Sequence, residues 1–210
     1  MPDTITPEML NELLGSVQVF SSAMRDVLEE KLLRETARGR LTFSRLKLLK
    51  LVAFTDSHTI GEVAAFLGVS NTAASKAVDK LVRRRLLRRT EAHADRRASE
   101  LSLTGEGRRL LSAYEAARDK KLTEIFSASV PEELSGTAAT LDRLTANIVD
   151  HTANPQELCL QCGIYFREKC RLRELVPRVC FYQKHKARKG AESVVEGAGG
   201  TEAQVQPPAP

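Results

Sequence analysis

The chain has 210 residues, 42% of them apolar, and 32 Lys and Arg against 27 Asp and Glu give it a net charge of +5. That apolar share is enough to bury the core of one ordinary domain with an appendage, which excludes a disordered chain, and the positive balance favours a polyanionic partner without specifying a fold. The longest apolar stretch, around Leu46 to Phe54, is broken by Lys47 and Lys50 and falls far short of the roughly 20 residues that cross a bilayer. MPDTITPEML carries neither a basic segment nor an apolar leader, so a cytoplasmic protein is expected.

In chain order, Thr6-Pro7-Glu8 reads as a helix start, with Thr6 as cap and Pro7 at the first helical position. A stripe of helical period follows from Leu10 through Leu13, Val17, Phe20 and Leu28 to about Arg34, long enough to pack on more than its own domain, and Gly39 closes it. A second helix is expected from about Phe43 to Phe54, with Leu46, Leu49 and Val52 on one face. Thr59 and Glu62 form a capping box for a third, which Gly68 ends, and Ser70 caps a fourth that runs to about Arg85. Two short helices joined by a glycine-bearing turn describe a helix-turn-helix. Leu86 to Thr90 and Ser99 to Leu103 read as the strands of a hairpin with EAHADRRA at its tip. Thr104 opens a fifth helix and Pro131 a sixth, striped by Leu134, Leu141, Leu144 and Ile148. From about Lys186 the composition turns to Gly, Glu, Gln and Pro, which marks a disordered tail.

Between residues 70 and 109, eleven Lys and Arg face five Asp and Glu, so the positive charge is concentrated where a groove-sized helix and a ribbon lie side by side in sequence. Such a surface binds duplex DNA with a steep salt dependence. The exposed start of the fourth helix offers Ser70, Asn71, Thr72, Ser75 and Lys76, short polar groups and a cation suited to base edges in the major groove, with Lys80 one turn further on. Arg96 and Arg97 at the hairpin tip suit the narrow minor groove, with Asp95 close enough to orient Arg97.

From about Leu41 to Gly107 the chain resembles the MarR family of winged-helix regulators: LTFSRLKLLKLV, then TIGEVAAFLGVSNTAASKAVDKLVRRRLLRR, then DRRASELSLTGEG for the wing. The resemblance implies a mainly α fold with a small β-hairpin wing, a winged helix-turn-helix domain joined to a helical dimerisation domain. It implies a homodimer whose first, fifth and sixth helices interlock on a pseudo-palindromic operator, acting as a repressor, with Asp95 and Arg97 as the wing pair. It also implies a small-molecule effector, often a phenolic anion, although no motif marks its pocket. Members of the family carry a glycine where this chain has Arg85, so a differently built turn is expected there.

The domains expected are 1–40 (dimerisation helix), 41–107 (winged helix-turn-helix), 108–152 (dimerisation helices), 153–185 (a four-cysteine module beyond the usual end of the family) and 186–210 (tail). Cys159, Cys162, Cys170 and Cys180 hold every thiol of the chain in the spacing C-x2-C-x7-C-x9-C. In a reducing compartment four thiols read as a metal site before a disulfide framework, either a closed tetrahedral zinc ion or a 4Fe-4S cluster, and the spacing leaves both open. Zinc would brace the segment, whereas a cluster would sense redox or iron status. No nucleophile and base stand at motif spacing, no glycine-rich phosphate loop is present, and a closed four-thiol site leaves no coordination position for substrate, so no enzymatic activity is expected. The rival reading is a metal-binding scaffold whose basic surface binds RNA or an acidic protein.

Overall fold

The computed structural model describes residues 4–39, 41–54, 59–91, 99–151, 167 and 170–175. The chain divides into two compact units, Met1–Ser135 and Gly136–Pro210. In the first, Thr6 Oγ1 accepts the Met9 N–H at 3.3 Å and starts α1 (Pro7–Met24), none of whose residues is buried. The path continues as a π-helical segment, Arg25–Leu32, and a last α-turn, α2 (Leu33–Thr36). The single α-helix expected through Arg34 is therefore three consecutive segments, of which only the later two bury residues, Leu28 and Leu33. Gly39, in the left-handed region at φ 67°, closes the path by returning its N–H to the Arg34 carbonyl at 2.9 Å.

α3 (Phe43–Phe54) is the hub of this unit, packing on the two helices of the reading motif, on the wing and on the long helix that follows it. Leu46, Leu49 and Val52 are buried as expected, and Leu48 and Leu51 are buried as well, because a helix enclosed by neighbours is apolar nearly all round. Lys50, which breaks the apolar run in sequence, is itself buried.

The reading motif follows its local signals closely. α4 (Ile60–Leu67) begins with the expected capping box, Glu62 N–H donating to Thr59 Oγ1 at 3.2 Å and Thr59 N–H to Glu62 Oε2 at 2.9 Å. It ends at Gly68, φ 64°, with Val69 N–H donating to the Ala64 carbonyl at 3.0 Å. Ser70 caps α5 (Asn71–Arg83), which buries Ala74, Val78 and Leu81 against its neighbours. The turn after α5 closes in the same left-handed way: Arg85 N–H donates to Val82 O at 2.8 Å, Leu86 N–H donates to Leu81 O at 3.0 Å, and φ at Arg85 is 57°. A different construction was expected because glycine is missing. Instead arginine adopts the glycine conformation, against a cost of roughly 1–2 kcal/mol for an L residue.

The wing is a two-stranded antiparallel sheet, β1 (Leu87–Glu91) and β2 (Ser99–Leu103), in the register Leu87 to Leu103 and Arg89 to Leu101. Leu87, Leu101 and Leu103 fasten its base to the core. Thr104 then ties three elements together: its hydroxyl donates to the Arg85 carbonyl at 2.6 Å, its N–H to Leu86 O at 3.1 Å, and its Oγ1 accepts the Gly107 N–H at 3.0 Å to cap α6 (Gly105–Ile125). A Cβ on Gly107 would strike the Leu86 carbonyl, so the close approach of α6 to this turn requires glycine. Further along α6, the buried Tyr114 hydroxyl donates to the Leu28 carbonyl at 3.2 Å and binds α6 to the π-helical segment.

α7 (Pro131–Ile148) crosses the boundary between the units and leads into a 3-10 turn, Val149–His151. Its stripe residues Leu134, Leu141 and Ile148 are exposed in the single chain, and Asp142 is buried. Within the cysteine segment, for which no element was expected, Arg171–Leu175 forms a short helix, α8.

Candidate nucleic-acid interface

Apolar residues at i, i+4 and i+7 (Ala74, Val78, Leu81) turn one side of α5 inward and leave the opposite side outward. On that outward side Asn71, Thr72, Lys76 and Lys80 are exposed and Ser75 is half-buried. Thr72, Lys76 and Lys80 stand one above another at four-residue intervals. Among the described residues neither lysine has an ion-pair partner, whereas Asp79 beside them lies 3.8 Å from Arg89 on β1. The one carboxylate on this face is thus drawn toward the wing. Ser70 does not have the same freedom: its Oγ accepts the Ala73 N–H at 3.3 Å, so its oxygen serves the helix start and only its proton remains for a partner. The start of α5 adds unpaired backbone N–H groups, which favour anions.

The strands of the wing hold Glu91 and Ser99 opposite each other. Asp95, Arg96 and Arg97, with the rest of residues 92–98, lie outside the described residues. At the base of the wing, sequence reasoning missed two arginines that the structure places: Arg88 Nε donates to Ser102 Oγ at 3.3 Å, and Arg89 makes the contact to Asp79.

In the second unit, Cys170 precedes α8, half-buried and in no disulfide. Arg167 reaches it: one guanidinium nitrogen donates to Cys170 Sγ at 3.3 Å and also lies 2.8 Å from Asp142 Oδ1, while the other donates to Asp142 Oδ2 at 3.0 Å. A two-pronged arginine–carboxylate pair is geometrically specific, so Asp142 fixes the group that faces the sulfur. Neither Asp142 nor Arg167 was singled out in the sequence, where 25 residues separate them. Cys159, Cys162 and Cys180 lie outside the described residues. Among the described residues no three His, Cys, Asp or Glu side chains gather into a metal site.

With this geometry in view, residues 41–98 match the MarR family. The winged-helix segment is thus similar to the MarR family of transcriptional regulators. The chain is similar to the HTH-type transcriptional repressor MdtR of Bacillus subtilis, 25% identical over 124 residues that cover 59% of this chain and 80% of the repressor. Among solved structures, Streptococcus pneumoniae FabT in complex with DNA shares the fold at a TM-score of 0.57 and 21% identity, over 70% of this chain and all of FabT. YusO from B. subtilis does so at 0.50 and 25%, over 64% of this chain and 95% of YusO. Among the described residues no helix is long and apolar enough to cross a membrane.

Proposed function

We propose that the protein is a sequence-specific DNA-binding transcriptional repressor that acts as a homodimer on a pseudo-palindromic operator and carries a metal on its four cysteines. The observation that carries the reading is the outward side of α5, where Asn71, Thr72, Lys76 and Lys80 form a polar, cationic surface on a helix narrow enough for the major groove, beside a two-stranded wing. A similar domain in FabT was crystallised with DNA, and MdtR is a repressor, which supports the DNA-binding and repressor parts of the reading.

Dimerisation is supported by α1. Met9, Leu10, Leu13, Leu14, Val17 and Phe20 are each 38–64% exposed in the single chain, an apolar stripe that a stable protein covers. A second copy with its own stripe covers it by symmetry, and the pair then offers two reading helices to half-sites about one helical turn, roughly 34–36 Å, apart.

For the metal, Cys159, Cys162, Cys170 and Cys180 would be the ligands, a donor set that suits zinc or a 4Fe-4S cluster. The arginine hydrogen bond to Cys170 fits a sulfur that carries negative charge. Zinc supplies a fold-stabilising crosslink and a cluster supplies oxidant sensitivity.

The test is a binding titration of the whole chain against a palindromic promoter fragment, a scrambled duplex and an RNA of equal length, across a salt series. Preference for the promoter with a steep negative salt slope is expected. Equal binding to all three, or preference for the RNA, overturns the reading.

A further inference from the structure

At the C-terminal end of α5, just beyond Lys80, the chain runs Arg83, Arg84, Arg85, all exposed. Arg85 sits in a left-handed conformation at φ 57°, where glycine is the unstrained residue. Three hydrogen bonds fix that backbone: Arg85 N–H to Val82 O at 2.8 Å, Leu86 N–H to Leu81 O at 3.0 Å, and the Thr104 hydroxyl to Arg85 O at 2.6 Å. Each would form equally well with glycine, so the fold requires this conformation and not this side chain. Backbone strain of this kind is kept where the residue serves something outside the fold.

The neighbours divide into two groups. Arg88 and Arg89 are engaged within the protein, by Ser102 and Asp79. Among the described residues, Arg83, Arg84 and Arg85 have no carboxylate partner, and all three present delocalised, multi-donor charge to solvent. Arg83 lies four residues beyond Asp79 and Arg84 four beyond Lys80, so they prolong the outward face that carries Lys76. Over the 13 residues of α5, at about 1.5 Å each, the corner stands roughly 20 Å from Asn71 at the helix start. That exceeds the major-groove width of about 12 Å and sets the corner at the sugar-phosphate ridge, away from base edges.

We propose that Arg83, Arg84 and Arg85 form a phosphate clamp on the same DNA duplex, with Arg85 holding a strained turn in order to add the third guanidinium. The inference rests on the DNA-binding reading above and extends it to a surface that contributes affinity without sequence selection. Guanidinium forks match phosphodiester oxygens in pairs, and continuity with the reading face favours DNA over an acidic protein.

The deciding variant is Arg85→Gly in the whole chain, with Lys120→Ala, an exposed cation on α6, as the control for loss of one charge. Relief of strain should raise the thermal midpoint by about 2–4 °C. At the same time affinity for the promoter should fall about five- to tenfold, and the slope of log affinity against log salt should shrink by about 0.9, equally for promoter and scrambled duplex. Lys120→Ala should leave the slope unchanged. A variant that is more stable yet binds with unaltered slope overturns the clamp while the DNA reading stands. A variant that loses promoter preference overturns it in favour of a base contact. A wild-type chain without salt-dependent duplex binding removes the underlying reading, and the clamp with it.

Discussion

The Lys50 ammonium on α3 lies 3.1 Å from the Glu115 carboxylate on α6, and the lysine is buried while the glutamate is half-exposed. Burial holds Lys50 below the usual lysine value of 10.5, and Glu115 opposes that shift by bonding to the charged form. The two partners should therefore respond unequally to removal. Glu115→Gln removes the negative charge opposite a buried cation and should cost about 2 kcal/mol, less than for a fully buried pair because Glu115 meets solvent. Lys50→Met leaves a carboxylate that water can reach and should change stability by under about 1 kcal/mol. The pH dependence has a fixed sign. As pH rises toward 10.5 the folded chain releases the Lys50 proton before the unfolded chain does, so the unfolded state binds more protons and wild type gains stability relative to Lys50→Met. Urea unfolding of both proteins at pH 8 and above checks this, and a difference that is flat or shrinks contradicts the burial cost.

Gly107 concerns the start of α6, where it meets the turn at Leu86. Because a Cβ there meets the Leu86 carbonyl, Gly107→Ala must push the start of α6 off the turn and break the Thr104 N–H to Leu86 bond. A loss of about 3 kcal/mol is expected, at the upper end for overpacking. Gly105→Ala, two residues earlier with nothing near its Cβ, should be close to neutral. Equal midpoints for the two variants in denaturant would show that the junction yields.

The dimer is addressed on α1. Leu13→Glu places a charge in the middle of the exposed apolar stripe, where a second copy is proposed to pack. Self-association should weaken about 100-fold or more, the effect of burying an unpaired carboxylate. Analytical ultracentrifugation over a concentration series reports it directly. Promoter affinity should fall together with dimer content, since one half-site alone cannot supply the specificity of two.

The expected minor-groove role of Arg97, which lies between the two wing strands in sequence, is tested by Arg97→Ala. If Arg97 enters the minor groove as expected from the sequence, it contributes at least about 1 kcal/mol of specific binding and discriminates by groove width. Loss of preference for A·T-flanked over G·C-flanked half-sites is expected. Lys76→Ala, on α5, should instead relax preference within the half-site, and identical profiles for the two variants would contradict separate roles for helix and wing.

Local signals carried most of the winged helix into view before any coordinates. Thr59 with Glu62, Gly68 and Ser70 each act within three or four residues, so their roles are written in the chain and appear as expected. What escaped detection depends on distant partners. Lys50 looked like an interruption of an apolar face because Glu115, the carboxylate that makes its burial tolerable, lies on another helix. Arg85 marked a missing glycine, yet its left-handed turn is imposed by Thr104 and by the end of α5 together. The π-helical segment leaves the periodicity of Val27, Leu28 and Leu32 unaltered to the eye, and the bond from Tyr114 to Leu28 spans 86 residues. The same holds for Asp142 and Arg167, which approach Cys170 only in the folded second unit.

That last contact makes the cysteine segment open to measurement. With four thiolates as ligands, protein purified without air should carry one metal site per chain, brown if a 4Fe-4S cluster and colourless with stoichiometric zinc otherwise. Chelation should reduce helicity, because a segment this short has little core of its own to fall back on. Arg167 touches the sulfur of Cys170 and is itself held by Asp142, an arrangement that would orient Cys170 as a proposed ligand in the way carboxylates orient metal-bound histidines. Arg167→Ala should therefore speed metal loss to a competing chelator, with retention lowered about 10- to 100-fold. Asp142→Asn should act in the same direction but less, because its amide still accepts one guanidinium bond. The double variant should be no worse than Arg167→Ala, since both act through one hydrogen bond. Additive losses would mean that Asp142 serves the segment by another route, and metal-free wild type would remove the metal reading altogether.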